Sequence, residues 1–327
     1  MRVLLTGASG FVGSHILDEL RETGLDVSIL LRRTSDTRFV RRHVNEGVTV
    51  HYGTLDDTDA LRSAMEGIEA VVHCAGKTKA LDEREYDDVN KAGTQNIVRA
   101  TIHAGTLRHF VYVSSLAVSG PATPAHPARE TDPPNPITVY GKSKLAGEES
   151  VTSECPAPWT ILRPAAVYGP RDREFLPLFR IARRGLVPLL GGGRQVLSLV
   201  YGRDVAAAVS RCLGREEAFG RIYHVAAEPP CAAAEFAQTL ARAMGTRAHT
   251  VSVPGPVLYV ACIGQEWMAR WRRRPHMLNR QKLAELRAPG WVCATDRIRE
   301  DLGFAAPTPL ADGVTRAADW YRKQGWF

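Results

Sequence analysis

Short β-branched runs at residues 3–6, 27–31, 49–52, 70–74 and 110–114 alternate with stretches at 13–23, 59–65 and 89–103 whose apolar residues recur at helical spacing. Parallel strands need a crossover rather than a tight turn, so this rhythm predicts βαβ units with helices on both faces of one sheet. The expected class is α/β, a doubly wound parallel sheet. A proline-rich loop follows at 120–136, then a helix over 139–153 and a buried strand at 159–163 that Pro164 breaks. Beyond Pro170 the pattern changes to basic and proline-containing segments, a turn at Gly191-Gly192-Gly193, a helix at 204–214 and a strand at 222–226. The remainder reads as mostly helical and smaller in scale.

With 327 residues, 44% hydrophobic and 24% charged, the chain can bury a sizeable core in one large or two joined bodies, which excludes disorder. No apolar stretch approaches the ~18 uninterrupted residues of a spanning helix. Met1 runs directly into Val3-Leu4-Leu5 and a glycine turn, without the basic and long apolar regions of a signal peptide, so a cytoplasmic setting is expected. Six cysteines (Cys74, Cys155, Cys212, Cys231, Cys262, Cys293) form no CxxC pair, which fits reduced thiols and no metal site. The net charge of +7 and pI near 9.2 would admit nucleic acid, yet the basic residues are spread out except in short runs such as Arg32-Arg33 and Arg272-Arg273-Arg274. No nucleic-acid partner is expected, and an anionic cofactor or substrate suits the charge better.

The segment Thr6-Gly7-Ala8-Ser9-Gly10-Phe11-Val12-Gly13 leaves the first strand and opens the first helix. Its glycines can turn tightly and let backbone amides approach a pyrophosphate at the helix N-terminus, which makes Gly7, Ser9, Gly10, Phe11, Val12 and Gly13 candidate dinucleotide contacts. The spacing is GxxGxxG rather than the commoner GxGxxG, and a plain glycine turn is the alternative. The second strand ends in Leu30-Leu31-Arg32-Arg33-Thr34-Ser35, with no carboxylate for ribose hydroxyls. Arg32 and Arg33 instead suit a 2′-phosphate, favouring NADP(H) over NAD(H). The alternative is two solvated arginines and NAD held without the usual acid. Tyr140 and Lys144, four apart on a helix, share a face, and an ammonium beside a phenol stabilises the phenolate. That pair is an acid–base candidate, although the same spacing also arises as a solvated pair.

With these motifs in order, the chain resembles the short-chain dehydrogenase/reductase superfamily, in its extended branch of epimerases, dehydratases and reductases. The likeness spans nearly the whole chain, through Val72-His73-Cys74-Ala75-Gly76, Asn90 to Asn96, Val113-Ser114-Ser115, Tyr140 to Lys144, Arg163-Pro164, Val167-Tyr168-Gly169-Pro170 and Arg203-Asp204-Val205-Ala206. It implies a Rossmann domain over 1–165, with 200–227 returning to it, and a smaller, mostly helical substrate-binding portion over 166–199 and 228–327. By position Ser115 completes the catalytic set with Tyr140 and Lys144, with Ser114 the runner-up. Ser115 would bind the substrate oxygen, Tyr140 would exchange a proton with it, and Lys144 would lower the tyrosine pKa and hold the nicotinamide ribose. The resemblance also carries Ala75, Gly76, Pro164 and Val167 to the cofactor, with Thr54 and Leu55 near the adenine, Thr54 replacing an aspartate common in relatives. Asn90 is either a cofactor-side or a backbone-bridging amide, and His73 reads as a core histidine. Relatives often dimerise, so a homodimer is expected.

The reaction is narrowed by two positions. Many sugar-nucleotide relatives have an asparagine at the place of Ala166 and a charged residue at the place of Ser198. Both residues here look more like dihydroflavonol reductase and 3β-hydroxysteroid dehydrogenase relatives, which implies an NADP(H)-dependent oxidoreductase for an apolar ketone or alcohol. A nucleotide-sugar epimerase or dehydratase is the alternative. A non-catalytic nucleotide binder would be expected to lose the Ser/Tyr/Lys set. Val257, Val260, Ala261, Gly264, Trp267, Met268 and Trp271 recur at helical spacing before Arg272-Arg273-Arg274. The stretch 256–274 is expected to be core or a pocket lid, and its basic end also suits peripheral contact with a membrane surface.

Overall fold

The computed structural model describes residues 1–190, 193–247, 249–253, 255–272 and 280–327. Its centre is a parallel seven-stranded sheet of β1 (Arg2–Thr6), β2 (Asp26–Leu31), β3 (Thr49–Tyr52), β4 (Ala70–His73), β5 (His109–Val113), β6 (Trp159–Pro164) and β7 (Arg221–Val225). The spatial order is β7-β6-β5-β4-β1-β2-β3. Side chains alternate across each strand, so neighbouring residues enter different layers. Val3 and Leu5 pack with Ile16, Leu17 and Leu20 of α1 (Phe11–Glu22). Leu4 faces the other layer, with Leu61 of α2 (Thr58–Ala64), Ile97 and Val98 of α3 (Gly93–Ala100) and Val151 of α4 (Val139–Glu154). Helix α5 (Gly202–Cys212) lies against α1, which brings Val205 and Val209 into the first layer. Burial on both faces explains why these strands read as continuous apolar runs.

The expected elements are present with shifted ends. Helix α1 starts at Phe11 because Gly10 is its extended N-cap. The helical stretch expected from 89 begins at Glu83, where the Asp82 carboxylate accepts the Glu85 amide at 3.0 Å, and passes through a π-helical turn at Asp87–Ala92 before α3. Pro164 is the last residue of β6, in register with Val225, rather than a break before its end.

A second core gathers Phe179, Phe236, Leu240, Val314 and Tyr321 from the helices Leu176–Ala182, Ala233–Ala243 and Leu310–Lys323, with Tyr168 from the short strand Ala166–Tyr168. Beside it, the strand Leu186–Leu190 pairs in parallel with His249–Val253, a ribbon that local patterning did not predict. Gly191, Gly192, Arg273 and Arg274 lie outside the described residues. The expected helix near 256–274 is α6 (Gly255–Arg272), followed by α7 (Arg280–Arg287). Its apolar strip corrects the expectation of a core face: Val257 and Val260 are 58% and 68% exposed, and a Cβ on Gly264 would meet no described atom within 4 Å. The buried side is that of Cys262, which packs with Leu283, Val253 and Leu286. The side chains of Ala261, Trp267, Met268 and Trp271 fall outside the described set. Among the described residues no helix is long and apolar enough to cross a membrane.

Candidate active site

The strand order reverses between β1 and β4, and the loops leaving their carboxyl ends meet there, the place where open α/β sheets bind ligands. Gly7 has φ +77°, and a Cβ on it would lie 2.6 Å from the Ala75 backbone nitrogen, so the two loops touch without room for a side chain. A Cβ on Gly13 would meet the Gly7 carbonyl oxygen at 2.1 Å, and one on Gly10 would stand 3.2 Å from it. No side chain caps the start of α1. The amides of Phe11, Val12 and Gly13 therefore open the helix without a built-in acceptor, beside Ser9 and under the positive end of the dipole, as an anion site requires. These residues fit a dinucleotide pyrophosphate. Thr6 braces the loop from below: its hydroxyl accepts the Ala75 amide at 3.2 Å and meets His73 Nδ1 at 2.7 Å. His73 is fully buried, with Nε2 3.1 Å from the Thr94 hydroxyl, and burial pushes its pKa down to about 3, so it is a neutral core histidine.

At the end of β5 the two candidate serines take different roles because consecutive strand residues point apart. Ser114 is buried and donates to Glu148 Oε1 at 2.5 Å. Ser115 is partly exposed, accepts the Ala117 amide at 3.2 Å, and its hydroxyl acts on the Tyr140 phenol. Helix α4 presents Tyr140 because Thr138 caps it, its hydroxyl accepting the Gly141 amide at 3.0 Å. One turn on, Lys144 is buried, with Nζ donating to the Val113 carbonyl at 2.8 Å and lying 4.2 Å from the Tyr112 ring centre. Burial pushes the Tyr140 phenol above its ordinary pKa, while the Lys144 charge and the Ser115 hydroxyl pull it down. Burial likewise lowers the Lys144 pKa, opposed by Tyr140, Cys74 and Glu148. The expected effect of Lys144 is present, but desolvation of the phenolate outweighs it.

Asn90 is fully buried and bridges backbone: Oδ1 accepts the Lys77 amide at 2.7 Å, and Nδ2 donates to the Lys77 carbonyl and to Ser143 Oγ, both at 2.9 Å. It ties the loop after β4 to α4 and so holds Gly76 near Lys144. A Cβ on Gly76 would stand 3.6 Å from Lys144 Nζ. Arg32 and Arg33 are exposed past the end of β2, Arg33 lying over the Tyr52 ring, and neither has a carboxylate partner among the described residues. Leu55 packs over Gly93 and its carbonyl accepts from Asn96 at 2.9 Å; Thr54 is exposed. Pro164 is buried at the end of β6, and Val167 is half-buried in the short strand Ala166–Tyr168.

Sequence reading missed the groups around this set. Tyr86 brings its ring 6.1 Å from that of Tyr140, and the charge of Glu285 on α7 has a minor influence on both phenols. Behind Ser114, the Arg163 guanidinium grips Glu148 with Nε at 2.9 Å and Nη2 at 2.6 Å. Glu148 carried a legible signal, since it follows Lys144 by the same four residues that separate Lys144 from Tyr140. No such local spacing marks Tyr86 or Glu285.

A model of the NAD dependent epimerase/dehydratase family matches residues 3–226. The chain is 30% identical to a ceramide reductase of Caulobacter vibrioides, over 99% of this chain and 96% of that one. It is 28% identical to a UDP-glucose 4-epimerase of Vibrio cholerae, over 97% and 94% respectively. Among solved structures, a dTDP-glucose 4,6-dehydratase of Streptomyces venezuelae with NAD bound superposes with a TM-score of 0.80 at 22% identity, covering 100% of this chain and 99% of that one, a likeness of fold.

Proposed function

The chain belongs to the NAD-dependent epimerase/dehydratase family, among the extended short-chain dehydrogenases/reductases, and from that premise we propose that it interconverts a secondary alcohol and a ketone on a mainly apolar substrate with NADP(H). The carrying observation is the grouping of three side chains: the Ser115 hydroxyl acts on the Tyr140 phenol, and Lys144 stands one turn below it, held at the Val113 carbonyl. A substrate oxygen entering between Ser115 and Tyr140 would meet both hydroxyl groups. Ser115 orients the oxygen, and Tyr140 donates a proton to it in reduction or removes one in oxidation. Lys144, fixed to the Val113 carbonyl through one proton, keeps two for the ribose hydroxyls of the cofactor. The nicotinamide, when bound, supplies or accepts the hydride. The glycine cradle receives the pyrophosphate and Arg32 with Arg33 the 2′-phosphate.

An apolar substrate is supported by what the site withholds. Ala166 is exposed and has no amide to offer, and Ser198 is buried with its hydroxyl accepting the Cys293 amide at 3.2 Å. The likeness to a ceramide reductase supports a lipid-like carbon skeleton. Likeness to a UDP-glucose 4-epimerase keeps a second reading, sugar-nucleotide epimerisation or dehydration. The division into a cofactor portion, 1–165 with 200–227, and a substrate portion, 166–199 with 228–327, belongs to the same proposal and is supported by the pairing of β7 with β6.

The test is NADPH oxidation against long-chain, steroid and flavonoid ketones beside turnover of UDP-sugars. We expect ketone-dependent oxidation that Tyr140→Phe lowers by ~10³-fold or more, with NADPH binding nearly unchanged. UDP-sugar turnover without ketone reduction would overturn the substrate class, and a fully active Tyr140→Phe variant would overturn the mechanism.

A further inference from the structure

Exposed large apolar side chains concentrate in one part of this fold: Leu186, Val251, Val257, Tyr259, Val260 and Ile263 stand between 42% and 68% exposed. The ribbon and the helix that carry them are consecutive in the chain and meet where Val253 packs against Cys262. In the ribbon, Leu186 is in register with His249 and Val251 with Pro188, so the two-residue side-chain period puts Leu186 and Val251 on one face. Helix α6 starts two residues after that ribbon ends. With Cys262 turned inward against Leu283, the helical repeat sets Val257, Val260 and Gly264 on the opposite side, and the sequence continues the same spacing to positions 267 and 271.

Charge identifies what covers this face. From residue 240 to 274 the chain carries six arginines (242, 247, 270, 272, 273, 274) and one carboxylate, Glu266. Arg184 and Arg247, exposed just before the two ribbon strands, have no ion pair among the described residues. A second copy docked on this face by two-fold symmetry would set Arg184 and Arg247 against arginines. An anionic surface would attract them while its apolar layer receives the valines.

We propose that the ribbon Leu186–Leu190/His249–Val253 and α6 form a peripheral docking face for anionic lipid bilayers. Helix α7, packed on α6 through Leu283, also carries Glu285, whose charge has a minor influence on Tyr140. Given the apolar substrate proposed above, docking would bring the protein to the lipid that holds that substrate, but binding to the bilayer stands independently of it.

The experiment is flotation of the full-length protein with vesicles of phosphatidylcholine alone and of phosphatidylcholine with phosphatidylglycerol, without substrate. Binding is expected only to the anionic vesicles and should weaken with salt. Val260→Asp with Ile263→Asp should reduce it about tenfold or more, as should Arg184→Glu with Arg247→Glu. Retained NADPH binding and melting temperature show which variants fold, and the arginine pair decides alone if the aspartate pair unfolds. No flotation with either vesicle, or flotation unchanged by variants that fold, overturns the proposal. So does concentration-dependent dimerisation that the same variants abolish, which would assign the face to a second copy. Vesicle binding persisting when no ketone in the panel is reduced would leave the docking face standing and the substrate reading in error.

Discussion

A lysine beside a phenol lowers its pKa only against the opposing cost of burial. In this site the balance falls on the side of burial, which holds Tyr140 above its ordinary pKa although Lys144 and Ser115 both pull it down. Tyr140 must be a phenolate to accept a proton from an alcohol, so oxidation rises with pH through its pKa and reduction falls. Lys144→Met removes the largest downward influence and leaves the desolvation. The alkaline-rising limb of kcat for alcohol oxidation should therefore move upward by about one pH unit or more, with a roughly tenfold loss at neutral pH. A limb that stays in place would show that Lys144 only anchors the cofactor. The arginines past β2 have a separate readout. Arg32→Ala with Arg33→Ala should weaken NADPH binding by about tenfold or more and NADH far less, because only the former carries the 2′-phosphate; equal losses measured by titration would remove that assignment.

Helix α4 carries two of the three proposed reacting groups, and beside the apolar contact of Val151 a buried ion pair fixes it to the sheet. Glu148 and Arg163 are 4% and 2% exposed at the side chain, joined by two parallel hydrogen bonds. Arg163 Nη1 continues to Ser119 Oγ at 3.2 Å, which lies 2.8 Å from His224 Nε2. Removing one partner strands the other charge, so Glu148→Ala should cost about 3–5 kcal/mol in urea unfolding, whereas Glu148→Leu with Arg163→Met should cost far less than the two single changes together. Additive losses would mean the pair is not a unit. The sequence discloses such a device only halfway. Tyr140, Lys144 and Glu148 are visible because a helix makes spacing local, and the glycine cradle is visible for the same reason. The partner Arg163 needs the strand order before it can be placed. Ser115 cannot be separated from Ser114 until the strand face is known, and the ribbon joining Leu186 to His249 depends on residues distant in the chain. For α6 the apolar spacing predicts the helix, while Val257 and Val260 of its strip are exposed rather than core, because periodicity reports that a face is apolar without saying whether anything covers it.

Across the whole molecule, burial has neutralised histidines in every layer. Desolvation lowers the pKa values of His15 and His109 to about 4 and those of His73 and His224 to about 3. The geometry of His109 requires the neutral ring: the Gly214 amide donates to Nδ1 at 3.0 Å, a nitrogen that could not accept if protonated. In the unfolded chain these rings titrate near 6.5, so below that pH the unfolded state binds protons that the folded state refuses. Stability is thus full above pH 6.5 and is lost as pH falls toward 4, by up to about 1.4 kcal/mol per pH unit for each ring. Asp172 acts with the opposite sign. Burial raises its pKa to about 7, so between roughly 4 and 7 the folded state keeps a proton that the unfolded state releases, which adds stability as pH falls. Burial also raises Glu19, Glu130 and Asp204, with the same sign as Asp172, but carboxyls start from lower ordinary values, so the four rings govern the range just below 6.5 and urea midpoints should drop from pH 6.5 to pH 5. In His109→Gln, stability at neutral pH falls through the altered bond to Gly214, but the slope against pH should flatten by about one proton. A slope identical to that of the unaltered protein would mean that His109 charges in the folded chain, and that the layer between β5 and the Gly214 turn opens before the rest of the sheet.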